Sequence, residues 1–577
     1  MGTSQSSRGT VRFGVFEVDV QSAELHKQGT KVKLQEQPFQ ILQTLLEHPG
    51  EVVTREELQK RIWPADTFVD FEQGLYNAIK RLREALGDSA ENPRFIETLA
   101  RRGYRFIGTL AASPGRIESL AVLPLENLSR DAEQEYFAEG LTEALITTLA
   151  KIGALRVVSR TTVMHYKCVH RPLREIAREL EVDGIVGGTV QRSGERLRIS
   201  AQLLHAPTDT HLWAESYDRD LRDVLTLQAE LAQAIAREVQ VKLTTQERAN
   251  FAQAQPVDPE AYEAYLKGRY YWNRRSREAL PKSVQSFQQA ISRDPTYAAA
   301  YAGLADCLST LGALGFVSPG EGCGKAKGLA VRALALEPDL PEAHASLAWA
   351  TAWYDYDFVV AEREFERSIE LNPRYATAHL WFGFYLGMMG RHEEGYTELK
   401  RAIRLDPLSS IVHWALGFIY WFSRRYDQAI EQCEKALRLD PNLAQAHMLL
   451  GHAYLYKSKH ESTLAAMKKG LELSAGTASY AASLAEAYAA AGYRDEAQKI
   501  LDELQLQEFS RTQYLSPYVV ARIYTALDQR EEAFRCLERA YEERAAWMAW
   551  LNVEPRFDNL RPDPRFRDLL RRMNFPP

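Results

Sequence analysis

The period of the apolar positions changes along the chain and divides it. Between residues 11 and 33, Phe13, Val15, Phe16 and Val18 are the apolar members of short predicted strands. From Gln37 to Glu47 the period becomes helical, with Phe39, Leu42, Leu45 and Leu46 on one face. Thr54 followed by Glu57 is a capping-box signature, so a second helix starts there and ends near Trp63–Pro64. Over Phe71 to Leu86, Leu75, Ile79, Leu82 and Leu86 form a narrow apolar stripe, and Gln73, Asn77, Lys80, Arg81 and Glu84 lie opposite it. Gly87–Asp88 closes that helix, and FIETLARRGYRFIG predicts a hairpin turning at Arg102–Gly103. The Ser-Pro-Gly of AASPGR, Ala111 to Arg116, then breaks regular structure.

From about 117 to 250 strand-like and helix-like runs alternate. SLAVLPLENLS, LRVVSR, GIVGGTVQR, RLRISAQLLH and HLWAESYD predict strands. Glu133 to Lys151, PLREIARELEV and Leu221 to Leu243 predict helices. The expected class there is α/β.

Beyond 258 the pattern repeats. Pro373, Pro407 and Pro441 are spaced 34 apart, as are Gly383, Gly417 and Gly451, with Ala485 continuing the step. Tyr420, Tyr454 and Tyr488 keep the register, as do Ala429 and Ala497. Small residues let paired helices approach closely, and the proline ends the second of each pair. This period resembles the tetratricopeptide repeat. Earlier units end at Pro295 and Pro338, with the Gly-rich insertion VSPGEGCGKAKG, and about eight units are expected. The domain limits are thus 1–108, a linker at 109–116, 117–250, 258–545 and a Pro- and Arg-rich cap at 546–577.

Composition adds limits. With 577 residues, 45% hydrophobic and 26% charged, the chain can bury several cores. Its net charge of -6 excludes a molecule-wide nucleic-acid field, so any such site is a local patch. The five cysteines, Cys168, Cys307, Cys323, Cys433 and Cys536, form no CxxC pair and suit a reducing compartment. No signal-peptide core opens the chain, its Met-Gly start is only a weak lipidation motif, and no run is apolar enough to span a membrane. A cytoplasmic location is expected.

Asn, Gln, Lys and Arg on one exposed helical face are the residue types that read base edges in a major groove. A solvated surface would also carry them. VDFEQGLYNAIKRLREALGD followed by PRFIETLARRGYRF closely resembles the C-terminal DNA-binding domain of OmpR/PhoB-type bacterial response regulators, an α+β winged helix-turn-helix, over residues 11 to 108. The resemblance implies that the third helix enters the major groove and the wing the adjacent minor groove. By position it implies contacts from Asn77, Lys80, Arg81 and Arg83 on the helix, the last to phosphate, and from Arg101, Arg102 and Arg105 on the wing. Gln73 joins the helix set by its residue type. No receiver domain precedes this module, so two-component phosphorylation is not implied. Membrane-bound relatives carry a transmembrane helix where this chain has its hydrophilic linker.

The middle stretch resembles the domain related to the N-terminal part of TolB, on EYFAEGLTEALIT, PLREIARELEVDGIVGGTV and HLWAESYDRDL. It holds His165, His170, His205 and His211 with Asp183, Asp209, Asp218 and Asp220, but no metal-ligand spacing. Gly184, Gly187 and Gly188 form no phosphate loop and read as tight strand packing or a bulge. No catalytic site, metal or cofactor is expected.

In a tetratricopeptide array, positions 2, 5, 9, 12 and 13 of the first helix tend to line the concave surface. That set includes Trp349, Trp353, Phe384, Met388, Trp414, Phe418, Trp421, Phe422, His452 and Tyr456. Two readings stand: rings packed on neighbouring helices, or a groove for an apolar peptide or another part of this chain. The expected function is a one-component transcription regulator. The winged helix binds double-stranded operator DNA, a homodimer among its forms, and the repeats receive a protein or peptide. The alternative is a repeat adaptor that binds no DNA, and the wing arginines count against it.

Overall fold

The computed structural model describes residues 10–20, 22–27, 30–63, 71–108, 110–111, 117–129, 131, 134–167, 169, 171–239, 241, 243–244, 257–274, 276–474, 477–509 and 514–575. The linker segment 112–116, Pro64, Cys168 and His170 lie outside them. The chain divides into two compact units, residues 1–116 and 117–577.

In the first unit, strands β1 (Thr10–Phe13), β2 (Phe16–Asp19), β3 (Glu24–Lys27) and β4 (Thr30–Val32) form an antiparallel meander, with β8 (Leu110–Ala111) against β1. Val15, expected inside a strand, instead sits exposed in the turn after Gly14, whose φ of +52 suits glycine. Helices α1 (Glu36–Glu47), α2 (Arg55–Ile62) and α3 (Phe71–Leu86) follow, with β5 (Val52–Thr54) between the first two. The capping box forms: the Glu57 amide donates to Thr54 Oγ1, and Glu57 Oε2 accepts from the Thr54 amide at 2.8 Å. The wing is the hairpin β6 (Ile96–Leu99) and β7 (Gly103–Phe106), and β7 also pairs with β5. The α3 stripe of Leu75, Ile79, Leu82 and Leu86 is buried against Phe39, Leu42 and Leu45 of α1 and Ile96 and Phe106 of the wing.

The second unit opens with a mixed sheet. Strands β9 (Ser119–Val122), β11 (Arg156–Val157), β12 (Gly184–Ser193), β13 (Arg196–His205) and β14 (Thr210–Asp220) run in the order β11-β9-β12-β13-β14, and β10 (Glu126–Asn127) pairs with β12. The first three are parallel and the last three antiparallel. Helices α4 (Glu135–Ala150), α5 (Arg160–Met164), α6 (Leu173–Leu180) and α7 (Val224–Glu238) complete the domain. A Cβ at Gly188 would be driven into the Ser200 carbonyl, the close strand packing expected of that glycine.

Eight antiparallel helix pairs follow among the described residues, from Pro259–Arg274 to Arg530–Glu542. At Gly383 and Gly451 a side chain would strike Leu399 and Met467 of the paired helix, which is why those positions stay small. A recurrent hydrogen bond links successive units. His344, His379, His413 and His447 each place Nε2 on the carbonyl of the proline six residues earlier, at 2.8–3.2 Å. Nδ1 of the first two meets Glu364 and Glu398, at 2.7 and 2.6 Å.

The mixed-sheet domain is docked on the array. Glu143 of α4 pairs with Arg269 at 2.5 Å and with Arg160 at 3.3 Å, and accepts from Asn273. Burial alone would raise the Glu143 carboxyl, but Arg269 and Arg160 outweigh it and hold it below the usual range. At α5, the Thr162 hydroxyl donates to Asp406 and accepts from the Leu408 amide.

Candidate nucleic-acid interface and the repeat interior

Helix α3 is amphipathic over its whole length. Its outer stripe is Gln73, Tyr76, Asn77, Lys80, Arg81 and Glu84, all exposed. Tyr76 is not among the contacts expected from sequence, yet at 61% exposure it is the most open large ring among this unit's described residues. Its i, i+4 spacing to Lys80 is the signal that could have found it; a ring by its type alone suggests core. Arg81 donates to the side chain of Gln35, just before α1. Arg55 pairs with Glu72 at 2.6 Å and ties α2 to the start of α3.

At the wing, Arg101 and Arg102 are exposed in the β6–β7 turn, where Arg101 takes the left-handed backbone, φ +61. Asp88 organises the approach to the hairpin: its carboxylate accepts from the amides of Arg94, Phe95 and Ile96.

Two of the arginines expected at the DNA have partners within the domain. Arg83 does not stand free for phosphate: its Nη2 donates to the Ile96 carbonyl at 2.7 Å and to Thr98 Oγ1 at 2.9 Å, joining α3 to the wing. Arg105 faces Glu97 across the hairpin and pairs with it at 2.5 Å. Both arginines are half-buried and held by the domain itself. The exposed basic set is therefore Lys80, Arg81, Arg101 and Arg102, with Gln73, Tyr76 and Asn77 beside it.

Several of the described histidines and aspartates of the middle domain have local partners. Asp183 accepts from the amides of Glu118 and Ser119 and from the Ser119 hydroxyl. His205 meets Thr208, and Asp218 meets Arg196 and Arg198.

The rings of the repeats lie mostly inside the array. Trp349, Trp353, Phe384, Met388, Phe418, Trp421, Phe422 and His452 are buried, Trp414 is half-buried, and of the ten only Tyr456 is exposed. The segment expected to cap the array instead folds back over these rings. Trp550 lies stacked on Phe422 and edge-on to Phe384, Phe418 and Trp353. Trp547 packs on Trp353 and Phe418 and donates its N–H to the Ala313 carbonyl at 3.1 Å. Phe575 reaches Phe358, and Arg424 pairs with Asp558. The chain itself occupies this surface, one of the occupants that the spacing of the rings allows. A cavity of about 220 Å³ remains beside the segment.

Residues 29–106 match the family described as transcriptional regulatory protein, C terminal, and residues 425–457 match a tetratricopeptide repeat family. The N-terminal domain is a winged helix of the OmpR/PhoB type, and the helical array is built of tetratricopeptide repeats. Over 318 residues the chain is 32% identical to a Rhizobium meliloti protein named Putative adenylate cyclase 3, covering 53% of this chain and 52% of that one. It is 24% identical over 373 residues to the transcriptional regulator HilA of Salmonella typhimurium, covering 63% and 65%. The Klebsiella pneumoniae RstA DNA-binding domain, solved in complex with the RstA box, is 30% identical over 17% of this chain and 98% of its own, with a TM-score of 0.16. The chain spans about half the length of the first of these curated relatives and 65% of the second.

Proposed function

We propose that this protein is a DNA-binding transcription regulator and not an enzyme. The observation that carries the reading is the pairing, on one winged helix, of an exposed polar stripe along α3 with two exposed arginines at the wing turn. Gln73, Asn77, Lys80 and Arg81 are suited to base edges and phosphates in the major groove, and Arg101 and Arg102 to the minor groove alongside. The likeness of residues 29–106 to the DNA-binding family supports it. The middle domain, read as TolB-like, joins the DNA-binding domain to the repeats, and the protein works in the cytoplasm, as a homodimer on its operator. Among the described residues no helix is long and apolar enough to cross a membrane. Recovery of the native protein mainly with membranes would reverse the location.

The test is binding to bulk duplex DNA across a salt series. Several phosphate contacts predict a steep linear fall of log affinity with log salt. Binding that is undetectable at low salt, with the domain folded, would leave the adaptor reading standing.

A further inference from the structure

The concave face of the array is not wholly filled by residues 546–575. Between that segment and repeats two to eight lies a cavity of about 220 Å³. Its walls are rich in indoles and phenyls, among them Trp349, Trp381, Phe384, Trp414 and Trp421 from the array and Trp547 from the returning segment. Protein interiors are close-packed, and apolar voids larger than a water are few. An apolar cavity of roughly 150 Å³ already admits a benzene ring. This one accommodates one or two fused rings.

Among the described residues, the charged side chains on the wall are Arg522 and Arg556, and no carboxylate lines the cavity. Arg522 is ion-paired with Glu486, Nε to carboxylate oxygen at 2.6 Å, and donates Nη2 to Ser483 Oγ. Arg556 gives Nε and Nη2 to the two oxygens of Glu554 and lies over the ring of Trp421. Nη1 of Arg522 is outside these contacts, whereas Nη1 of Arg556 also lies 3.8 Å from Glu486. Of the residues lining the cavity, Trp353, Trp414 and Trp421 each hold an indole N–H without a hydrogen-bond partner among the described residues. A buried polar group left unpaired in a native fold points to something that satisfies it.

We propose that this cavity is a binding site for a small aromatic carboxylate, its rings among the tryptophans and its carboxylate at Arg522. Aromatic walls with a few convergent polar groups are the usual build of a small-molecule site. Both arginines are ion-paired with Glu486 and Glu554, so it is the remaining donor capacity of Arg522, with no carboxylate on the wall, that favours a carboxylate over an amine. A ligand there touches both the array and the returning segment, so it clamps one on the other. Binding itself is independent of the DNA-binding reading; only its use as the regulator's signal rests on it.

Isothermal titration calorimetry on the intact protein, with indole-3-acetate, 1-naphthoate and neutral indole as probes, tests the site. Both anions are expected to bind saturably, one per chain, with indole about tenfold weaker for want of the charged hydrogen bond. Arg522→Gln should abolish the preference for the anion. Should that variant fail to fold, Trp414→Leu, at a half-buried wall position, should weaken all three probes. No saturable binding of either anion, or equal affinity for indole and indole-3-acetate, overturns the proposal. Loss of DNA binding in the same preparation with probe binding intact would count against the regulator reading and leave this site standing.

Discussion

The indole of Trp550 lies stacked on the ring of Phe422, with centroids 4.4 Å apart and planes 27° from parallel. Both residues are fully buried. That contact joins the end of the chain to the middle of the repeat array, so the returning segment is part of the core. Trp550→Ala should cost about 3–5 kcal/mol in denaturant unfolding, the usual range for a buried aromatic. A double-mutant cycle with Phe422→Ala should return a coupling of about 0.5–1.5 kcal/mol. An unchanged unfolding midpoint for Trp550→Ala would mean that the segment is only loosely laid on the array.

Trp421 and Trp414 differ in the same way. Trp421 is 1% exposed and sandwiched by Phe422, His452 and Tyr456, whereas Trp414 is half-buried. Trp421→Ala should lower stability by about 3–5 kcal/mol and Trp414→Ala by clearly less. Equal destabilisation of the two variants, measured by thermal or urea unfolding, would contradict the burial pattern.

On the winged helix, Arg81→Ala and Arg102→Ala should each weaken DNA binding while leaving the fold intact. Removing a base-reading side chain at Arg81 should cost about 1–3 kcal/mol, and removing a phosphate-binding one should reduce the salt slope by about 1. Arg83→Ala should behave differently and lower the melting temperature, because it leaves the wing without its tie to α3. Fluorescence anisotropy paired with circular dichroism separates the two classes. Full DNA affinity in both the Arg81 and Arg102 variants would remove the assigned surface.

Gly103→Ala should unfold or strongly destabilise the wing. A Cβ there would be driven into the Val53 carbonyl, across the β5–β7 pair. The expected readout is a lower melting temperature of the N-terminal unit together with failure to bind DNA. A tolerated alanine would show that β5 and β7 can separate at little cost.

His452 predicts a pH dependence. The Ser483 hydroxyl donates to the Ser479 carbonyl, so His452 Nε2 must be the donor in its contact with Ser483 Oγ. Burial, reinforced by the guanidiniums of Arg556 and Arg522, holds its pKa well below the usual 6.5. The folded pKa is the lower one, so below 6.5 the unfolded chain takes up a proton that the folded one refuses. Stability is therefore full above that pH and declines as pH falls, by up to about 1.4 kcal/mol per unit for one group. Burial lowers His205 and His392 as well, so they add in the same direction. His452→Gln keeps a side-chain donor and should flatten the slope between pH 6.5 and 5. An identical slope in that variant would mean that His452 takes up its proton in the folded state.

The sequence by itself determined whatever depends on near neighbours. The α3 stripe, the Thr54–Glu57 capping box, the wing turn and the 34-residue register all follow from spacings of a few residues, since a helix or hairpin sets which side chains share a face. The recurring His-to-proline carbonyl bond was legible in the same way, six residues after Pro338, Pro373, Pro407 and Pro441, but has no meaning until the helix start brings the ring over that carbonyl. Tertiary structure alone decided which exposed-looking groups were already taken. Arg83 carries the same charge as Arg102, and only the packing of the wing on α3 gives it its partners, while Arg105 meets Glu97 across the hairpin. The aromatic face of the repeats has one spacing whether it is open or covered. What covers it, Trp547 and Trp550, comes from the far end of the chain, and burial of one apolar surface by another depends on their meeting in space, which no local period records.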